Sequence, residues 1–517
     1  MRRIESAWAL AIGAICVGCG PAKDSSASAT DSGTSTDTNA TETETGGLGA
    51  PGFVIDGAGP DDYAGALPCG DVNGDGLGDL VVRRRGTPGY VVFGRAEEGV
   101  LRVGEIEPGI DGAAVDGASF DDGYSSRAIV LAAAGDVNGD GFDDLVVSRE
   151  RSEDLAEVAV VFGGPVLASV DLDALAPEQG RALLEVPLGW AGSVHTYQLG
   201  DVNGDGFDDL AIVVGDGSEG GVDSIYVVFG GDALALTSVE ALTAGDGGFA
   251  ITGVYSPETI AAGDMNGDGL RDLVILEGGG PHESHSEIYV VFGGDALGTL
   301  DLTDSYGEGD VIVPPDFGGY TVLLSDATYA FLPAGGQLVA GHDVNGDGLD
   351  DLVVGGPLPA GSGWNLVHVI YGRSQVGSVR VPEELGDGVG LSITAESLPG
   401  GWDTYVIPSL SGDLNGDLRG EITLAVNVGG PGPNEHVETY VIYGDVEATA
   451  VDIGAVAQGE GGYILSAWPE VQHLGEAAEW ADIDGVGGLE LIIRDPESPA
   501  NGENSGRTYV YFDPGVH

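Results

Sequence analysis

The sequence predicts an all-β fold, a seven-bladed β-propeller of four-stranded antiparallel blades whose ring is closed by the N-terminal strand. Three observations predict it. First, an acidic nonapeptide, Asp71-Val-Asn-Gly-Asp-Gly-Leu-Gly-Asp79, returns in register at Asp136, Asp201, Asp264 and Asp343, and in weaker form at Asp413 and Asp482. The starts are 65, 65, 63, 79, 70 and 69 residues apart, too long for an ordinary solenoid turn and suited to a four-stranded blade with generous loops. Second, short apolar runs with glycine-rich breaks and no helical periodicity surround the acidic copies. Third, the folded part opens on a strand of the Gly-Phe-x-Ile type and ends on one of the Tyr-Val-x-Phe type. The last unit therefore lacks the strand that the first residues hold in excess, and placing Phe53-Val-Ile55 there removes an exposed edge.

Taken in order, residues 1–18 read as a signal peptide: Arg2 and Arg3 precede an apolar run, Ala7 to Val17, too short to span a bilayer. The run ends in Cys16-Val-Gly-Cys19, which resembles a bacterial lipobox and so implies cleavage before Cys19 and lipidation of its thiol. Cys16 departs from that pattern, where Leu is usual, and Glu5 is unusual in a basic leader. Simple secretion is the alternative. Gly20 after the cysteine implies outer-membrane sorting if the source is Gram-negative. Beyond the cysteine, residues 19–49 are almost entirely small and polar, so nothing there can bury a core. A disordered tether with an r.m.s. reach of about 30 Å is expected. Three cysteines are too few for a disulfide framework, and Cys69 reads as a small buried apolar residue.

Residues 50–517 repeat one pattern seven times. A strand such as Phe249-Ala-Ile251 or Tyr463-Ile-Leu465 is followed by a variable loop and a small-residue strand, for instance Ile129 to Gly135. The acidic loop comes next and runs into an apolar strand: Leu80-Val-Val82, Leu145-Val-Val147, Leu210-Ala-Ile-Val-Val214. A β-branched and aromatic strand ending in Phe-Gly or Tyr-Gly completes each unit, as in Tyr90 to Gly94 and Tyr226 to Gly230.

The loop chemistry follows from its spacing. Asp at positions one, five and nine, Asn at three and the backbone carbonyl of seven offer five hard oxygens to one ion, and Gly at six allows the sharp turn. The five intact sets are Asp71, Asn73, Asp75, Leu77 and Asp79; Asp136, Asn138, Asp140, Phe142 and Asp144; Asp201, Asn203, Asp205, Phe207 and Asp209; Asp264, Asn266, Asp268, Leu270 and Asp272; and Asp343, Asn345, Asp347, Leu349 and Asp351. Such donors favour Ca²⁺ over Mg²⁺, which demands a stricter octahedron. An EF-hand is excluded, because position twelve holds Val82, Val147, Ile212, Ile275 or Val354 in place of a bidentate Glu. The sixth set, Asp413, Asn415, Asp417, Arg419 and Glu421, has Leu418 where the glycine belongs and is expected to bind weakly. The seventh keeps Asp482, Asp484 and Glu490 but has Val486 at a ligand position and is expected to be empty.

These units resemble FG-GAP repeats, the blades of the integrin α-chain propeller and its bacterial relatives, through Gly-Asp-Val-Asn-Gly-Asp-Gly-x-x-Asp-Leu-Val-Val and Tyr-Val-Val-Phe-Gly. The resemblance covers residues 50–517 and implies calcium in the acidic loops on the bottom face, with ligands met on the opposite face. It implies no particular ligand.

Aromatics cluster before the first strands of the units: Tyr63, Phe120, Tyr124, Trp190, Tyr197, Tyr255, Tyr329, Trp402, Tyr405 and Trp468. Of these, Tyr63, Tyr124, Trp190, Tyr255, Tyr329, Trp402 and Trp468 form the candidate ligand face, suited to sugar rings or a cationic side chain; packing between blades is the alternative. A formal net charge of −66, with 84 acidic residues against 18 basic, excludes nucleic acid as a partner. No nucleophile, phosphate loop or zinc spacing stands out, and His282-Glu-Ser-His285 reads as a solvated loop. The expected function is therefore a monomeric, non-enzymatic recognition or adhesion module on a bacterial envelope. It would meet an extracellular protein or glycan and touch the membrane only through its lipid. A polysaccharide lyase or hydrolase and a purely structural envelope module are the alternatives.

Overall fold

The computed structural model describes residues 46–47 and 51–512 apart from 86–87, 118–128, 153–154, 188–193, 216–221, 256, 278–285, 295–297, 303–317, 325–336, 356–364, 382–383, 387, 395–405, 429–435, 445–449, 467–475, 487 and 497. The leader, Cys19 and most of the tether lie outside the described residues, as do His282 and His285. No helix among the described residues is long and apolar enough to cross a membrane.

Seven sheets form a ring, each built on four antiparallel strands. The first blade runs Gly65–Pro68, Leu80–Arg83, Gly89–Val92 and Gly112–Asp116 from the inside outward. The third runs Val194–Gly200, Asp209–Val214, Val222–Val228 and Gly248–Tyr255. The seventh takes Glu476–Ala481, Glu490–Asp495 and Arg507–Tyr511 from the end of the chain and Phe53–Asp56 from its beginning. Phe53 pairs with Val510 and Asp56 with Arg507, so the ring closes as the phase of the repeat requires. Inner strands of neighbouring blades touch around the axis. Val194–Gly200 meets both Val130–Gly135 and Pro257–Gly263, and Glu476–Ala481 meets both Val406–Ser411 and Gly65–Pro68.

Burial on both faces explains why the second strands are continuously apolar rather than alternating. In Asp209–Val214, Leu210 and Ile212 join the core shared with the second blade, while Ala211 and Val213 join the core shared with the fourth. Phe53, Ile55, Leu80, Val82 and Ile492 make the equivalent seam between the seventh blade and the first. Cys69 is 1% exposed and packs in the core between the first two blades.

The blades differ from simple four-stranded sheets in one respect. Among the described residues, six of the seven carry a fifth, parallel strand along the outer edge. It comes from the connector of the following blade: Gly99–Arg102 on Phe53–Asp56, Val170–Asp171 on Gly112–Asp116, Leu300–Asp301 on Gly248–Tyr255, Gly377–Val381 on Gly319–Leu324, and Ala450–Asp452 on Gly390–Thr394. On the second blade the contact shrinks to one bridge, Leu184 to Thr237. The seventh blade has no continuous connector, because the chain ends fall there. Gly46–Gly47 supplies the missing piece by pairing with Leu465 and Ser466 of the sixth. Several of these edge strands lead into a single helical turn that plugs an apolar side chain into the blade, Val103, Leu172, Leu242 or Ile453.

Candidate metal-binding loops

Each acidic loop joins an inner strand to the next strand outward, and side chains wind it. In the first loop Asp71 Oδ1 accepts the N–H groups of Gly74 (2.6 Å) and Asp75 (3.1 Å), and Oδ2 accepts that of Gly76 (2.9 Å). Asn73 Oδ1 accepts the Asp75 N–H at 2.8 Å, and Asp75 Oδ1 accepts the Leu77 N–H at 2.9 Å. Short polar side chains taking up nearby backbone donors make a loop fold locally. The third, fourth and fifth loops repeat the pattern through Asp201, Asp264 and Asp343. The turn needs positive φ at position six, 89° at Gly76 and 90° at Gly141; Leu418 adopts 70° in the sixth loop despite its side chain.

Position nine ties the acidic loop to the Phe-Gly strand end. Asp79 accepts the N–H of Val72 at 2.9 Å and that of Gly94 at 2.8 Å. Asp209 does the same with Val202 and Gly230, Asp272 with Met265 and Gly293, and Asp351 with Val344 and Gly372. The glycine is required for its own reason. A Cβ on Gly163 would stand 2.3 Å from the Asp143 carbonyl oxygen and 2.8 Å from that of Val72 in the previous blade. The two sequence motifs are therefore halves of one packed joint.

The position-nine carboxylates are fully buried. Burial pushes Asp79, Asp209 and Asp272 up to about 7 and Asp144 and Asp351 up to about 8, and the carboxylates at positions one and five add to the rise. Asp144 Oδ2 is buried without a hydrogen-bond partner. A divalent cation beside these groups would reverse that balance, and the donor set is all oxygen, so the residues fit calcium.

Three further results were not evident from sequence. Residue seven, read as a carbonyl donor, also packs its side chain on the loop before it: a Cβ on Gly74 would meet the Phe142 ring, and one on Gly139 the Phe207 ring. The N–H of residue eight donates to the carbonyl of residue one in the preceding loop, from Asp143 to Asp71 at 3.1 Å and from Gly78 to Asp482 at 2.6 Å. Finally, among the described residues, the groups of three acidic side chains with ligand oxygens all within 4.8 Å are Asp413, Asp417 and Glu421, and Asp482, Asp484 and Glu490. These belong to the two loops ranked lowest by sequence. Glu at position nine is one methylene longer, so it can stay hydrogen-bonded to the Leu414 or Ile483 N–H, at 2.6 Å in each case, and still reach the others.

At the other end of the inner strands, Tyr63 is half-buried with the Arg85 guanidinium 4.1 Å from its ring centroid, a cation–π contact. Tyr255 is half-buried and donates its backbone N–H to Glu277 at 2.8 Å. Tyr197 departs from its grouping with the loop aromatics: it lies within an inner strand, 3% exposed, as core. Tyr124, Trp190, Tyr329, Trp402 and Trp468 lie outside the described residues, as do Phe120 and Tyr405.

Seven antiparallel blades, with acidic loops at the feet of their inner strands locked to Phe-Gly ends, define a β-propeller of the acidic-loop type. The FG-GAP repeat model matches residues 130–153 and 334–366, which contain the second and fifth loops. Integrin alpha-V of Gallus gallus is 27% identical over 245 residues, covering 46% of this chain and 20% of the integrin. Integrin alpha-3 of Cricetulus griseus is 28% identical over 166 residues, covering 30% of this chain and 15% of the integrin. The chain therefore carries FG-GAP repeats and is similar to integrin α-chains, and it spans a fifth or less of the length of these relatives.

Proposed function

We propose that this protein is a calcium-stabilised propeller held on a bacterial envelope by lipid at Cys19, acting as a non-enzymatic recognition or adhesion module. The observation that carries the calcium reading is the recurrence of one oxygen-lined, side-chain-wound loop with a buried position-nine carboxylate at its base. The loop binds through Asp at one, five and nine, Asn at three and the carbonyl of seven. When bound, the ion supplies positive charge to carboxylates that otherwise repel. At a hundredfold excess over Kd each occupied site adds about 2.7 kcal/mol to stability. Recognition is assigned to the opposite end of the inner strands, where Tyr63 and Tyr255 stand. The likeness to integrin α-chains supports the non-enzymatic reading.

Two measurements test it. Calcium should raise the melting temperature and EDTA lower it; an unchanged melting temperature would refute the calcium reading. Saturable binding to a glycan or protein panel should weaken in Trp190→Ala or Trp402→Ala. Turnover of an acidic polysaccharide in place of such binding would make the protein an enzyme.

A further inference from the structure

The acids at position eight carry a role the metal pattern does not give them. Asp143 Oδ2 accepts the backbone N–H of Asp71 at 2.8 Å, while the Asp143 N–H donates to the Asp71 carbonyl. Asp208 makes the same pair of bonds with Asp136, and Asp350 with Asp264. The first ligand of one loop is thus held from both sides by the next blade. At Asp201 and Asp343 the hold is single. Arg271 gives only its N–H to Asp201, its side chain turning to Asp350 at 2.8 Å, and Gly420 gives only its N–H to Asp343.

Packing at the same joint supports the arrangement independently. A Cβ on Gly70 would fall 2.1 Å from Asp143 Oδ2, and one on Gly135 would fall 1.9 Å from Asp208 Oδ2. The residue before the first ligand is glycine where the facing position eight is Asp. At the fifth loop the sizes exchange: His342 precedes Asp343 and faces Gly420, whose own added Cβ would meet the His342 Cβ at 2.8 Å. The seam accepts one side chain, from one partner or the other.

We infer that Asp143, Asp208 and Asp350 are positioning residues for the calcium loops of the preceding blades, so that the loops at Asp71, Asp136 and Asp264 bind calcium more tightly than those at Asp201 and Asp343. The inference rests on the calcium reading above. A hydrogen bond that orients a metal ligand is worth about 10- to 100-fold in affinity when removed.

The test is calcium titration of the purified protein followed by hydrogen–deuterium exchange, read separately on peptides covering 71–79 and 201–209. Asp143→Ala should raise the calcium midpoint for protection of 71–79 at least about tenfold and leave 201–209 within about twofold. Asp143→Asn keeps an acceptor oxygen and should restore the midpoint. An unchanged 71–79 midpoint in Asp143→Ala, or an equal shift at 201–209, overturns the inference while the calcium reading stands. No protection by calcium in the wild type sinks both. Should Asp143→Ala not fold, Asp350→Ala read on 264–272 carries the same two outcomes.

Discussion

The N-terminal strand is fastened to the last blade by one ion pair whose energetic contribution can be measured. Arg507 grips Asp56 with Nε at 2.6 Å from Oδ1 and Nη2 at 3.0 Å from Oδ2. The Asp56 side chain is 3% exposed and that of Arg507 26%. Two charge-assisted hydrogen bonds contribute about 1.5–3 kcal/mol each when desolvated. Removing one member of a buried pair costs about 3–5 kcal/mol, mostly through the charge left behind. Arg507 retains some water, which lowers the expectation for Asp56→Ala to about 2–4 kcal/mol. The pairwise part is isolated by a double-mutant cycle of Asp56→Ala and Arg507→Ala, followed by urea unfolding. A coupling energy of about 2 kcal/mol is expected. The pair of Arg102 and Glu105, 3.5 Å apart with side chains 49% and 68% exposed, is the internal control and should couple by under about 0.5 kcal/mol. Equal coupling in the two cycles would refute the claim that burial makes the closing pair matter.

Two other predictions concern single residues. Burial pushes the Glu479 carboxyl up to about 7, against Arg494 and Arg83, which pull it down. Its folded pKa lies above the ordinary value, so its favourable contribution is complete below about pH 4.5 and is lost as pH rises through about 7. Glu479→Gln should therefore be more stable than wild type by roughly 2–3 kcal/mol at pH 8 and indistinguishable from it at pH 4.5; a gain equal at both would show that ionisation is not the cause. Leu418→Gly should stabilise by about 1 kcal/mol in thermal melts by relieving the left-handed strain at φ 70°, and Gly76→Leu should cost a similar amount or more.

Sequence carried the blades well because each acidic loop and each Phe-Gly end is a fixed string, and the unmatched strand at Phe53 dictated the closure. It did not carry the fifth strands. Val170–Asp171 and Leu300–Asp301 share only an apolar-Asp pair, too short a string to stand out, and Gly377–Val381 lacks even that, since a two- to five-residue parallel pairing is made by backbone groups. Position eight was hidden for a different reason: Asp143 and Asp208 stand directly beside the ligand positions Asp144 and Asp209, and their own partners lie 72 residues away. The sixth and seventh loops were ranked by ligand identity alone, which misses the extra reach of Glu421 and Glu490. Most of the aromatic face falls outside the described residues, and only Tyr63 and Tyr255 of that set have a described place.

The strand Phe53–Asp56 lies between two partners, antiparallel to Arg507–Tyr511 on one side and parallel to Gly99–Arg102 on the other. On the proposed anchoring, a body pulled away from the membrane would transmit its load through this strand. Tension along it cannot peel one ladder open bond by bond; it must shear both together, with the Arg507 clamp engaged at the far end. The Gly46–Gly47 pairing, only two residues long, would give way first and lengthen the leash before the ring felt the force.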